Sequence, residues 1–308
     1  MMRPRHTPLS PIAACRALGL AGLLCLSAVP GSADPATTTP VVGVGSQYDT
    51  AHVYVAAADL EPFVRSFTAT FGGKSTAPLV MTITPTPSST TFQAAVTPAG
   101  SISGFGFKTP IPYPFGLERT GYLVTDMDVA VKAARANGAA VVVEPFNDPI
   151  GRDAIIQWPG GVMMQLYWHT TAPTSAALAT VPENRVYVSP DSADAFIRDF
   201  VAFSHGTVVS DVAKAPGTEI GAARVTYRRV RIESIFGKMT VLVTNGQLVY
   251  PYGRETTGYE VANLADTLKK AVASGAVVLV TPYTSDGRLA AMVQFPGGYV
   301  AEIHATVQ

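Results

Sequence analysis

The stretch PFGLERTGYLV (residues 114–124) returns as PYGRETTGYEV (residues 251–261), 137 positions further along a chain of 308 residues. A duplication of this length reports a duplicated structural unit, so it has to be followed outward before any site is argued. Moving forward, the offset of 137 persists: Gly138 answers Gly275, Pro145 answers Pro282, and Pro159-Gly160-Gly161 answers Pro296-Gly297-Gly298. Moving backward, a second pair stands at an offset of 133. His52-Val53-Tyr54-Val55 answers Arg185-Val186-Tyr187-Val188, residues 62–67 answer 195–200, and Gly73 answers Gly206.

Each copy contains the same kinds of element. Residues 126–137 and 263–274 carry apolar side chains at helical spacing and close on Gly138 and Gly275, the C′ position of a helix. Short β-branched runs follow at 141–143 and 277–280, and then two strands on either side of each Pro-Gly-Gly turn. The backward pair likewise leads from a strand into an amphipathic helix and on into strand-rich sequence. The pattern is four β-α-β-β-β modules in the order A, B, A′, B′, an α+β chain.

The ends read differently. Arg3, Arg5 and Arg16 precede the apolar run 17–29, which is followed by Pro30 and the small residues Gly31-Ser32-Ala33. This is the layout of a secretory signal, and 13 apolar residues are too few to span a bilayer. Cleavage after about Ala33 is expected, with the mature chain periplasmic or secreted. Leu24 before Cys25 argues against a lipid anchor. The signal holds three of the 22 Lys and Arg and none of the 22 Asp and Glu, so 19 basic groups remain against 22 acidic ones, a formal charge of −3. Such a balance attracts neither nucleic acid nor, after signal cleavage, a membrane. Cys15 and Cys25, the only cysteines, fall in the same segment, which leaves the mature chain without disulfide or thiolate ligand. Residues 34–47 form a loose lead-in, 48–169 and 184–308 two domains, and the small, proline-bearing stretch 170–183 a linker.

Four such modules resemble two domains of the vicinal oxygen chelate superfamily, which holds glyoxalase I, bleomycin-resistance proteins and extradiol dioxygenases. Residues 121–167 are similar to its closing module, V-x-D-V-D-A-A-V, then G-A, P, G-R and D-P-x-G, with Trp158 a departure where an Asp is usual. The resemblance implies that paired sheets curl into cups, and that metal-dependent members place one ligand on the first and one on the last strand of each module. In the first cup those positions give His52, Arg119 and Gln165, with no ligand on the last strand of module A. In the second they give Arg185, Thr256 and Glu302, and His304 shares a strand face with Glu302. A guanidinium offers only donors, so two of four positions are filled in the first cup by possible ligands, His52 and Gln165, and one in the second.

Each of these residues has a plainer reading. His52 could be an inert strand histidine, Gln165 an internally satisfied amide, and Glu302 with His304 an exposed pair near the chain end. Glu118 and Glu255 recur beside Thr-Gly-Tyr in both copies, which suggests that they bond backbone groups at a module junction. Aromatic residues cluster near the junctions and closing strands, among them Tyr167, and Tyr122 and Tyr259 are expected to face inward. The expectation is an exported protein that holds a small, partly apolar organic molecule in a cup without a complete metal site, and no cofactor is required. The candidate binding residues are His52, Arg119, Tyr122, Gln165, Tyr167, Arg185, Tyr259, Glu302 and His304. The alternatives are a metal-dependent lyase, isomerase or dioxygenase, with a divalent metal on His52 and Gln165, and a scaffold whose cups are filled.

Overall fold

The computed structural model describes residues 39–307, and the signal-sequence reading lies outside them. Module A runs β1 (Thr50–Ala56), α1 (Leu60–Phe71), β2 (Lys74–Ser75), β3 (Leu79–Met81), β4 (Thr90–Thr97) and β5 (Gly100–Phe107). Module B runs β6 (Arg119–Leu123), α2 (Met127–Ala136), β7 (Ala140–Asn147), β8 (Gly151–Gln157) and β9 (Met163–His169). Module A′ comprises β10 (Glu183–Val188), α3 (Pro190–Ser204), β11 (Thr207–Pro216), β12 (Thr226–Ser234) and β13 (Gly237–Val243). Module B′ comprises β14 (Thr256–Glu260), α4 (Leu264–Ala273), β15 (Val277–Ser285), β16 (Arg288–Gln294) and β17 (Val300–Thr306).

The modules pair as the repeat requires. One sheet has the order β2-β4-β5-β1-β6-β9-β8-β7 with β3 also on β4, and the other has the order β11-β12-β13-β10-β14-β17-β16-β15. The seam between modules is antiparallel in both, β1 on β6 and β10 on β14. The two halves differ at one edge. Module A breaks its edge strand into β2 and β3 around Pro78, which has no N–H for a ladder, while the unbroken β11 reaches its only proline at its last residue.

Helix ends follow their sequence signals. The Asp126 side chain accepts from Val129 N at 2.9 Å and the Asn263 side chain from Asp266 N at 3.0 Å, the N-caps of α2 and α4. Both helices stop before a left-handed glycine, Gly138 (φ 88°) and Gly275 (φ 100°). The apolar faces of the helices are covered by the other half of the molecule. Met127, Ala130 and Val131 of α2 share a core with Phe196, Phe200 and Phe203 of α3, and Trp158 is buried there against Phe200 and Phe203. In the second core, Phe63 and Phe67 of α1 meet Leu264, Leu268 and Ala271 of α4, with Phe295 and Tyr299. Module B thus packs on A′ and module A on B′. Each fully buried aromatic contributes roughly 1.5–3 kcal/mol, so this helical layer, not the interior of either cup, carries most of the apolar stabilisation.

Candidate functional site: two cups on one frame

Sheet register brings the corresponding first- and last-strand positions together in both halves. In the first, His52 lies opposite Ser103 on β5 and Arg119 on β6, and Gly121 lies opposite Gln165 on β9. In the second, Arg185 lies opposite Thr240 on β13 and Thr256 on β14, and Gly258 lies opposite Glu302 on β17. The same four places therefore hold His, Ser, Arg and Gln in one cup and Arg, Thr, Thr and Glu in the other.

The first cup is open. It encloses about 290 Å³, with Met81, Ile83, Phe92, Phe105 and Ile150 on its apolar walls and His52, Asp153, Gln165 and Tyr167 among its polar groups. Phe105 stands between Tyr54, stacked at 5.2 Å, and Phe92 at 5.5 Å, and lies 5.3 Å from the His52 ring. Segments that look like lead-in and linker complete the wall: Gln47 from one, with Tyr48 next to it at the domain's start, and Pro173 and Ser175 from the other. The Tyr48 hydroxyl donates to Pro173 O at 3.0 Å, and the Tyr167 hydroxyl donates to Tyr48 O.

Arg119 lies beside this cavity with its donors engaged. Nε and Nη2 donate to Gln165 Oε1 at 3.3 and 3.0 Å, Nη2 to the Tyr54 hydroxyl at 2.8 Å, and Nη1 to Pro114 O and Leu117 O at 3.0 and 2.7 Å. Those two carbonyls belong to the repeated stretch itself, so the duplication serves here as an arginine cradle. Burial, with the Arg119 charge adding to it, lowers the His52 pKa to about 3, so the imidazole is neutral across the working range, and its Nδ1 has no hydrogen-bond partner. Asp153 is 7% exposed and in no ion pair among the described residues. Burial, reinforced by Asp148, raises its carboxyl to about 7, with the Gln165 amide and Arg119 offsetting only part of the effect.

The second cup is filled with charge. Arg185 Nη1 bonds Glu183 at 2.8 Å and stands 4.0 Å from Glu302, and its Nη2 bonds Glu219 at 3.2 Å. Glu219 also accepts from the Tyr227 hydroxyl at 2.6 Å and Arg229 at 2.7 Å, while Arg288 closes on Glu183 at 3.0 Å. Burial alone would raise the Glu219 carboxyl, but Arg185, Tyr227 and Arg229 outweigh it and hold it at about 2. Glu183 is likewise held well below the usual carboxylate range against its burial, chiefly by Arg185 and Arg288. Glu302 and His304 are not an exposed terminal pair: they are 3% and 2% exposed, with His304 Nδ1 2.7 Å from Glu302 Oε2.

Two expectations about orientation need correction. Tyr122 and Tyr259 face away from the cups, because successive strand residues alternate faces and Gly121 and Gly258 already face inward. Tyr122 packs on Phe236 at 4.9 Å, and Tyr259 packs on Phe67 and Phe71 at 5.4 and 4.9 Å, all within the helical layer. Asp153 was not among the residues read from the sequence, although an acid in the otherwise apolar run Asp153-Ala154-Ile155-Ile156 was a visible signal. Of the junction glutamates, Glu255 bonds a backbone group across the halves as expected, whereas Glu118 bonds a side chain. Glu255 accepts from Thr120 N at 3.1 Å, and Glu118 pairs with Arg254 at 2.9 Å.

A divalent metal fits neither ring. In the first, the Gln165 oxygen is already taken by Arg119, Ser103 is a neutral hydroxyl, and His52 Nε2 is pressed against Gly121, where an added Cβ would lie 2.3 Å away. Of the ring positions only the His52 Nδ1 is then left as a donor, which is too little to hold a transition ion against water. In the second, the Arg185 guanidinium sits among Glu183, Glu219 and Glu302 as the resident cation. Among the described residues no group of three His, Cys, Asp or Glu is placed to share an ion.

No protein-family model and no curated protein sequence matches the chain. Solved structures do. A triple mutant of 4-hydroxymandelate synthase from Streptomyces coelicolor superposes with a TM-score of 0.57 at 12% identity, over 85% of this chain and 93% of that one. The 2,3-dioxygenase LapB from Pseudomonas sp. KL28 gives 0.52 at 12% identity, over 88% and 94%. The Mn(II)-bound glyoxalase from Novosphingobium aromaticivorans gives 0.51 at 13%, over 87% and 84%. With four β-α-β-β-β modules, two curled sheets and these neighbours, the chain has the vicinal oxygen chelate fold in its tandem form.

Proposed function

We propose that the protein is an exported binder of a small, partly apolar organic molecule, held in the first cup without a complete metal site. The observation that carries this reading is the contrast in filling: the first cup keeps about 290 Å³ behind aromatic walls, near the lower end of small-ligand sites, while ion pairs occupy the second. The polar groups that meet the cavity, His52, Gln165, Asp153 and Tyr167, suit orientation of a ligand by a few hydrogen bonds. Arg119, Arg185, Glu302 and His304 serve as frame in this reading, and Tyr122 and Tyr259 as core.

Binding is tested by a thermal-shift panel of small aromatic compounds on the protein and on Ser103→Trp, which fills the cavity from β5. Stabilising compounds lost in the variant support the reading, and a panel without any stabilising compound overturns it. Elemental analysis beside His52→Ala tests the rival reading of a metal-dependent lyase, isomerase or dioxygenase. About one transition metal per chain, lost in the variant, would establish that rival. Export is tested by N-terminal sequencing of the periplasmic or secreted fraction, where the expected first residue is Asp34.

A further inference from the structure

The walls of the first cup are uneven in charge, and the ligand class follows from that unevenness. The groups facing Asp153 come from every element around it. Asp148 sits on the β7–β8 turn, Gln165 and Tyr167 on β9, His52 and Tyr54 on β1, and Arg119 on β6 just outside the cavity lining. Asp148 is satisfied by its own turn, accepting from Ile150 N at 3.1 Å and from Gly151 N. Arg119 has all its donor groups engaged elsewhere. His52 is neutral. Asp153 is left as a carboxyl that lines an apolar cavity, more than nine-tenths buried, without an ion-pair partner. No Lys or Arg lines the cavity, its second histidine, His169 on β9, has its pKa lowered by burial against the opposing pull of Asp148, and Tyr54, Phe92 and Phe105 line it as well. A buried carboxyl with no cation of its own is satisfied by a cation that arrives with the ligand, and aromatic faces favour the same charge.

We propose, on the reading that the first cup binds small molecules, that its ligand is an organic cation: an amine on an aromatic or alicyclic body, its ammonium on Asp153 and its apolar part against Phe92, Phe105 and the aliphatic wall. The cup then discriminates by charge as well as by shape. A carboxylate ligand of equal size is excluded by Asp153 and Asp148, and a neutral alcohol leaves the Asp153 carboxylate uncompensated. At a pH below about 7 the carboxyl must release its proton before it can pair, so amine binding is linked to proton release.

The test is calorimetry with three matched probes, 2-phenylethylamine, 2-phenylethanol and phenylacetate, at pH 6, 7 and 8.5. The amine is expected to bind at least about tenfold more tightly than the alcohol at pH 8.5, with phenylacetate weakest, and to weaken by up to about tenfold per pH unit below 7. In buffers of different ionisation enthalpy at pH 6, close to one proton should leave per amine bound. Asp153→Asn should remove both the preference for the amine over the alcohol and the proton release. If that variant does not fold, the pH series and the proton count on the unaltered protein still decide. An alcohol that binds as well as the amine, or amine binding without proton release, overturns the cation proposal and leaves the binding-cup reading standing. Failure of all three probes overturns the cation proposal. Set beside a thermal-shift panel that also stabilises nothing, that failure takes the cup reading with it.

Discussion

The two cups stand on matching frames and have opposite interiors. At corresponding places the first has His52 and Arg119, and the second has Arg185 and Thr256. At these seam positions each cup has one buried arginine, but it comes from a different module, and its partners differ in charge. Arg119 is held by an amide, a hydroxyl and two carbonyls, whereas Arg185 is held by carboxylates. A curled sheet leaves a concave face that has to be lined or filled, and this molecule does one of each. Neutral satisfaction of Arg119 keeps the first cup's polar groups on its wall and its centre empty. Charge satisfaction of Arg185 draws Glu183, Glu219 and Glu302 inward and closes the second.

The sharpest way to break this comparison is to remove each arginine. Arg185→Met leaves buried carboxylates with fewer cations, and losing one partner of a buried ion cluster costs about 3–5 kcal/mol. Arg119→Met strands only neutral acceptors, so roughly 1.5–3 kcal/mol is expected. Denaturant unfolding of both variants gives the ranking. Equal costs, or a larger cost at Arg119, would mean that the second cup is not the more strongly charged of the two.

The cups should also pull stability in opposite directions along the pH scale. Glu219 has a folded pKa of about 2, below its unfolded value, so its contribution is present above the unfolded pKa and is lost as the pH falls toward 2. Asp153 has a folded pKa of about 7, above its unfolded value, so its contribution is present at low pH and is lost as the pH rises from about 4 through 7. Each limb is worth on the order of 3–4 kcal/mol over its full span. Unfolding free energies from pH 3 to 8 should show Glu219→Gln flattening the acid limb and Asp153→Asn flattening the limb toward neutrality. Exchange of those assignments would reverse the electrostatic reading of the cups.

The fold was legible because the repeat carries its own punctuation: Gly138 and Gly275, the Pro-Gly-Gly turns, and the strand pairs at offsets 133 and 137. Strand parity carried part of the site. It places Gln165 with Tyr167, and Glu302 with His304, on shared faces, and it also holds the correction for Tyr122, since the residue next to an inward-facing Gly121 must face out. What stayed hidden has no periodicity. Tyr48, Pro173 and Ser175 reach the first cup from irregular segments, and nothing in their spacing links them to His52. Glu219 lies in a short turn, Gly217–Ile220, yet becomes the hub of the second cup because Arg185 from β10 and Tyr227 and Arg229 from β12 converge on it and the sequence alone does not bring them together.

A smaller and more local effect separates ligand affinity from stability. Gly121 and Gly258 are equivalent, and each lies beneath the side chain that governs its cup. A Cβ at Gly121 would lie 2.3 Å from His52 Nε2 and 2.8 Å from its Cδ2, and an imidazole ring held by β1 can only turn aside. A Cβ at Gly258 would lie 2.8 Å from Glu302 Oε2 and 3.2 Å from Arg185 Cδ, so the group that must move there belongs to the ion cluster. Overpacking of this kind costs about 1–2 kcal/mol in either place. Gly121→Ala should therefore also lower the affinity of any first-cup ligand, through the displaced His52 ring. Gly258→Ala should lower stability and leave that affinity alone. Calorimetric titration and unfolding on the two variants separate these outcomes. A Gly258→Ala protein that binds as poorly as Gly121→Ala would show that the filled cup and the open one are coupled through the shared helical layer.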